Sequence, residues 1–234
     1  MKTIETVLTE FLNKQCQRLK PRTYRDYEDV VNIFMHYLNS YAYLRLGKDD
    51  AERFDTLYNK EGKEYCEIFG PEYIGDFEVE DFLSDYVIRK VSAGVDFMKT
   101  AVRVTNKLVK WLHANGYMED EDYQETEENV RELKSEVPEA KEFSFLLTEY
   151  IESHLVNRYT EELSGYFRID EIKPGKLWIS EDLISRKAVG PVIVSEEISS
   201  KAKVGWTVYL TVGKTGKTWK LLGAGFVYLR FAGD

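Results

Sequence analysis

Gly94-Val-Asp-Phe-Met-Lys-Thr-Ala-Val-Arg-Val-Thr-Asn-Lys-Leu-Val-Lys-Trp-Leu-His-Ala-Asn-Gly-Tyr-Met118 is the stretch from which the N-terminal half of the chain is read. At about 100° per residue, Lys99, Arg103, Lys107 and Lys110 fall within about 80° of one another on a helix. Met98, Val102, Leu108, Val109, Trp111 and Leu112 take the opposite side. The spacing predicts one helix with a core face and a cationic ridge, closed by Gly116 as a C-cap glycine.

Upstream, Ile4, Val7, Leu8, Phe11 and Leu12 predict a first helix over about 3–17. Pro21 stands where a second helix begins. From there Tyr24, Tyr27, Val30, Val31, Phe34, Leu38 and Tyr41 carry the period to about 45. Gly47, Gly62, Gly70-Pro71 and Gly75 interrupt residues 47–77, read as an insertion holding one short helix around 50–60. Val79, Phe82, Leu83, Tyr86 and Val87 predict a third helix before Ser92-Ala-Gly94 turns into the quoted stretch.

Downstream, residues 119–142 hold eleven acids and read as a solvated linker or exposed helix. A sharper reading folds this segment back over the cationic ridge, in competition with an anionic ligand. Phe143, Leu146, Leu147, Tyr150, Ile151 and Leu155 predict another amphipathic helix over 143–162. After Gly165 the composition turns to β-branched and aromatic residues. Tyr166–Ile169, Leu177–Ile179, Val192–Val194, Trp206–Val212 and Thr218–Leu222 read as strands, with Phe226–Phe231 as a last one. Pro174-Gly175, Gly190-Pro191 and Gly213–Gly216 separate them.

The expected architecture is therefore α+β with segregated parts: a helical domain over 1–118, an acidic linker and docking helix over 119–163, and a small antiparallel β-barrel, SH3-like or OB-like, over 164–234.

The 234 residues carry 32 Lys+Arg and 41 Asp+Glu, a net charge of −9, which argues against a general nucleic-acid coat protein. The average conceals an uneven distribution. Residues 119–163 hold 15 acids against 4 bases, whereas 164–234 hold 11 bases against 7 acids. Residues 13–25 contain Lys14, Arg18, Lys20, Arg22 and Arg25 and no acid. Basic surfaces thus survive within an acidic chain. The two cysteines, Cys16 and Cys66, have no metal or redox spacing, and reduced thiols in a cytoplasmic protein are expected in preference to a structural disulfide between them. The first twenty residues lack a signal-peptide core, and no apolar run reaches membrane-spanning length.

Gly213-Lys-Thr-Gly-Lys-Thr218 lacks the leading glycine and following helix of a phosphate loop, so a hairpin turn is the reading. Lys214, Lys217 and Lys220 cluster there with Trp219, a cationic and aromatic set of the kind that binds single strands. The opposing reading assigns Trp178, Trp206 and Trp219 to the barrel core. His36, His113 and His154 stand apart, so no metal site is expected. Adjacent acids such as Glu181-Asp182 and Glu196-Glu197 would point to opposite faces of a strand, and no cofactor or enzymatic activity is expected.

The helical part resembles the N-terminal core-binding domain of tyrosine recombinases (phage integrases), a SAM-like helical fold. Leu19-Lys-Pro-Arg-Thr-Tyr-Arg-Asp-Tyr27 is similar to the family's Leu-Ser-Pro-x-Thr-x-x-x-Tyr at the head of its second helix. Leu108-Val-Lys-Trp-Leu-His-Ala-Asn-Gly-Tyr-Met118 is similar to the close of its last core-binding helix, and Phe77-Glu-Val-Glu-Asp-Phe-Leu83 to the start of its third. The likeness covers about residues 3–118. It implies a DNA-facing surface, with Lys20, Arg22, Thr23 and Arg25 near one phosphate run and Lys99, Arg103, Asn106, Lys107 and Lys110 along the groove.

The chain departs from the family at Gly94 and Phe97, where a Ser-x-x-Thr pair is usual, and at Asp96, which repels phosphate. These departures favour backbone contact over base reading. The family's catalytic half, with its Arg, Lys, His-x-x-Arg and nucleophilic Tyr, has no counterpart here. The expectation is a noncatalytic DNA-binding accessory or regulatory protein, with duplex DNA as partner. The alternative is a protein-interaction adaptor that keeps the fold, with the β-barrel as the surface for a protein partner.

Overall fold

The computed structural model describes residues 2–181 and 188–229. Arg230 and Phe231 of the expected last strand, and Asp182, lie outside the described residues. Helices come first and a five-stranded sheet follows, so the α+β class with segregated parts holds.

Two compact units divide the chain, Met1–Val87 with Lys99–Lys134, and Ile88–Met98 with Ser135–Asp234.

In the first unit, α1 spans Ile4–Cys16 and buries Ile4, Val7, Leu8 and Phe11, the i, i+3, i+4, i+7 stripe of an amphipathic helix. The hydroxyl of Thr3 accepts the amide of Thr6 and caps its start. Helix α2, Pro21–Tyr41, opens on proline at its first position and buries Tyr27, Val30, Val31, Phe34, Tyr37 and Leu38. A 3-10 turn, Ala42–Arg45, finishes it. Tyr41, expected at a core phase, is 38% exposed, because the helix ends there and the chain turns away.

Residues 47–77 are more than an insertion. They form α3, Lys48–Glu61, and α4, Tyr65–Ile68, and they bury Phe54, Tyr65, Cys66, Ile68, Phe69 and Ile74. The Phe69 carbonyl accepts the amide of Ile4 at 2.9 Å, joining this segment to the head of α1. The short helix expected around 50–60 is α3, and α4 was not legible because a four-residue helix is too short to show a period.

Helix α5, Asp76–Asp81, runs through a π turn over Phe82–Tyr86 into α6, Val87–Lys90. Phe34 meets Phe82 edge-on at 4.9 Å, and the Tyr37 hydroxyl donates to Asp81 at 2.7 Å. Burial and that carboxylate push the Tyr37 hydroxyl well above the usual phenol range.

Helix α7, Val95–Ala114, presents the ridge, and Gly116 takes φ +71° after it. The acidic segment is helical from Asp120 onward. Helix α8 spans Asp120–Ser153, 34 residues with Pro138 inside, so the helix reading of 119–142 holds over the linker reading, and the helix expected over 143–162 is its continuation and ends at Ser153. Val130, Leu133, Val137, Ala140, Phe143 and Leu147 are buried, so acids alternate with a continuous apolar seam.

In the second unit the strands are β1, Glu162–Lys173; β2, Lys176–Glu181; β3, Ala188–Ile193; β4, Thr207–Thr215; and β5, Thr218–Tyr228. A short helix, α9, Glu196–Lys201, joins β3 to β4, its start capped by the Ser195 hydroxyl. The sheet closes on itself in the order β1-β2-β3-β5-β4, with β3 and β5 parallel and the other pairs antiparallel. The two predicted final strands are one, β5, with irregular register near Ala224.

Gly190-Pro191, expected as a separator, lies within β3 opposite the irregular register at Trp178. A bulge tolerates proline because the ladder is already interrupted there. Trp206 and Trp219 are buried, as the core reading expects, while Trp178 is only half-buried. A Cβ on Gly190 would lie 2.7 Å from the Trp178 ring, so glycine is what lets the indole lie across β3.

Candidate nucleic-acid interface

Two elements of the first unit supply the candidate residues. Lys99, Arg103, Lys107 and Lys110 are exposed on α7, and Asn106 beside them is half-buried. Their ridge survives because Met98, Val102, Leu108, Val109 and Leu112 take the buried side of the same helix. Lys20, Arg22 and Arg25 are exposed at the head of α2, with Thr23 half-buried.

The head of α2 has no acid in its first turn, and no side chain caps its amides. Its unsatisfied N–H groups and the positive end of the helix dipole therefore reinforce three cations.

The fold brings the two groups together. Arg103 Nη2 on α7 lies 3.3 Å from the Asp26 carboxylate on α2, and its guanidinium carbon lies 5.8 Å from the Tyr27 ring centroid. Asp26 follows Arg25 directly and sits four residues from Arg22, on the same helical face. Its position was legible in the sequence; its bond to Arg103 was not, because the two residues are 77 apart.

Acids also reach the other end of the ridge. Lys110 Nζ lies 2.7 Å from Glu127 Oε1 on α8. The hydrogen bond to Lys110 holds the Glu127 carboxyl below the usual carboxylate range, and the same bond raises the Lys110 ammonium. One turn further on, His113 stacks on Tyr123 at 4.1 Å and 7°, with Asp120 at 2.7 Å from Nε2. Part of the acidic helix thus contacts the ridge at Lys110, and Arg103 is engaged from α2.

The second candidate set, Lys214, Lys217, Trp219 and Lys220, is rearranged by the strand register. Trp219 is 6% exposed and faces the interior of the closed sheet, so its ring is not offered to a base. Lys214 sits across the ladder from Trp219, its Nζ 5.5 Å from the ring centroid and 3.2 Å from Glu161. Lys217 is exposed at the turn, and Lys220 is half-buried on β5. The indole at the surface is Trp178, with Lys173 Nζ 4.7 Å from its ring centroid. Alternation points to it: Leu177 and Ile179 face inward, so Trp178 between them faces outward.

Among the described residues no three His, Cys, Asp or Glu side chains gather as a metal site, and no helix is long and apolar enough to cross a membrane. Neither cysteine is in a disulfide; Cys16 is exposed and Cys66 buried. No protein-family model matches the chain, and no curated protein or solved structure matches it either.

Proposed function

We propose that the protein is a noncatalytic, cytoplasmic accessory that binds the phosphate backbone of duplex DNA through the head of α2 and the ridge of α7, on a bundle related to integrase core-binding domains. The observation that carries the reading is the Arg103–Asp26 contact, which sets the two basic groups side by side within one unit. Lys99 to Lys110 spans about 16 Å along the helix axis, comparable with a major groove about 12 Å wide. Asp26 and Asp96 beside these cations disfavour close base contact, so the binding is to phosphate and carries little sequence preference.

The closed sheet is read as OB-like in preference to SH3-like. Support comes from α9 between β3 and β4 and from the parallel β3–β5 closure.

The test is fluorescence anisotropy with a labelled duplex across a salt series, comparing the wild type with Lys99→Glu/Arg103→Glu/Lys107→Glu. The wild type should weaken steeply with salt, each phosphate contact contributing about −0.9 to the log–log slope. The triple variant should bind at least about tenfold more weakly, with an unchanged far-ultraviolet spectrum. Equal, negligible binding by both proteins refutes the reading.

A second reading, a protein-interaction adaptor, is favoured by a different observation. Tyr41, Tyr43, Leu44 and Tyr58 are all exposed, and Tyr43, Phe54 and Tyr58 stack with centroids 5.1 and 5.5 Å apart. Exposed tyrosines of this kind are frequent anchors of protein interfaces. Retained partner binding by the triple variant, with no duplex binding by the wild type, would favour this alternative.

A further inference from the structure

The outer surface of the closed sheet carries aromatic residues that core packing does not require. On β1, Phe167 and Ile169 point inward and are buried, so Tyr166 and Arg168 point outward. Tyr166 pairs across the ladder with Tyr209 on β4, and Thr207 pairs with Tyr228 on β5. The Tyr166 ring meets Tyr209 at 5.3 Å and Tyr228 at 5.5 Å, both edge to face. Tyr209 is 40% exposed and Phe226 46% exposed. Tyr209 lies across Gly225, where a Cβ would come within 3.2 Å of it, so glycine leaves room for that ring.

Cations stand beside the rings, and Glu162 and Asp170, both exposed, flank them on the same face of β1. The Arg89 guanidinium carbon lies 5.2 Å from the Tyr228 centroid, and Arg168 is exposed two residues from Tyr166 on the same face. The neighbouring outward positions are hydroxylic: Ser164 and Thr211 hydrogen-bond across the ladder at 2.9 Å. Between Glu162 and Asp170, residues 164, 166 and 168 of β1, 209 and 211 of β4, and 226 and 228 of β5 include no carboxylate, and Thr207 beside them is buried.

We propose that the outer surface of β1, β4 and β5 is a stacking platform for single-stranded nucleic acid, with Tyr209, Phe226 and Tyr228 taking bases and Arg168 and Arg89 taking phosphates. Aromatic side chains set beside cations accept an unpaired base on any exposed ring face, with little sequence preference. Bases in a duplex are already stacked and paired and offer no free face. An apolar protein partner would not need arginines on this side, and an acidic peptide would not need the ring array. The platform lies in the second unit and shares no residue with the duplex-binding reading, so either can fail alone.

The experiment is anisotropy of the full chain with dye-labelled oligo(dT), using the corresponding duplex as competitor. Tyr209→Ala should weaken oligo(dT) binding about tenfold, while Tyr209→Phe, which keeps the ring, should stay within about twofold. Arg168→Gln should flatten the log–log salt slope by about 0.7, the loss of one single-strand phosphate contact. Phe226→Ala, at an equally exposed site, supplies a second ring deletion should Tyr209→Ala prove unstable. The Lys99/Arg103/Lys107 variant should bind oligo(dT) as the wild type does. Failure of the wild type to bind oligo(dT) at low salt overturns the proposal. So does equal affinity of the wild type and both folded ring deletions.

Discussion

The guanidinium of Arg103 on α7 lies 3.3 Å from the Asp26 carboxylate on α2, and it joins the two most basic surfaces of the first unit. Both side chains are nearly half exposed, at 46% and 44%, so the pair contributes little to stability in water. Its consequence is for ligand binding: a phosphate approaching Arg103 competes with Asp26.

Asp26→Asn should therefore strengthen duplex binding severalfold and leave stability within about 0.5 kcal/mol of the wild type. Anisotropy at low salt and thermal melting check the two halves. An unchanged affinity would show that Arg103 takes no phosphate.

Glu127→Gln should act in the same direction by releasing Lys110. Because the Glu127 carboxyl is held below its ordinary value by Lys110, its ionic contribution is complete above about pH 4.5. It is lost as pH falls through the lowered folded-state value. The melting-temperature difference between wild type and Glu127→Gln should accordingly shrink below pH 4.5 and stay constant from pH 5 to 8. A difference that grows on acidification contradicts the assigned sign.

Phe69→Ala tests whether residues 47–77 belong to the core of the first unit. Phe69 is fully buried, 4.7 Å from Tyr65 and 4.6 Å from Tyr73 between ring centroids. Truncation should cost about 3–5 kcal/mol in denaturant unfolding. A dispensable insertion would lose less than about 1 kcal/mol.

Gly190→Ala should destabilise the second unit by about 1–3 kcal/mol, because the added methyl meets the Trp178 ring at 2.7 Å and its Cα at 3.2 Å. The backbone contact leaves the indole no simple escape. Altered tryptophan fluorescence together with a lower unfolding midpoint is the expected signature.

Helical periodicity made α1, α2 and α7 legible, since Ile4, Val7, Leu8 and Phe11, or Met98, Val102, Leu108 and Leu112, bury one face of a long element. The α8 seam of Val130, Leu133, Val137 and Ala140 was present in the sequence as well. A dense run of acids and the internal Pro138 concealed it. The tryptophans show the other limit. Trp178 and Trp219 are equally hydrophobic, but alternation about the β2 and β5 ladders turns one outward and the other inward. That direction depends on register, which a bulge at Gly190-Pro191 alters.

By itself the sequence determined the order of helices then strands, the buried faces of the long helices and the cationic ridge of α7, because each depends on residues a few positions apart. Only the tertiary structure decided that Asp26 meets Arg103 and Glu127 meets Lys110, and that β3 and β5 close the sheet in parallel. It also decided that Tyr166, Tyr209 and Tyr228 share one surface. These relationships join residues far apart along the chain. Their partners are selected by packing of whole elements, and no local period records that choice.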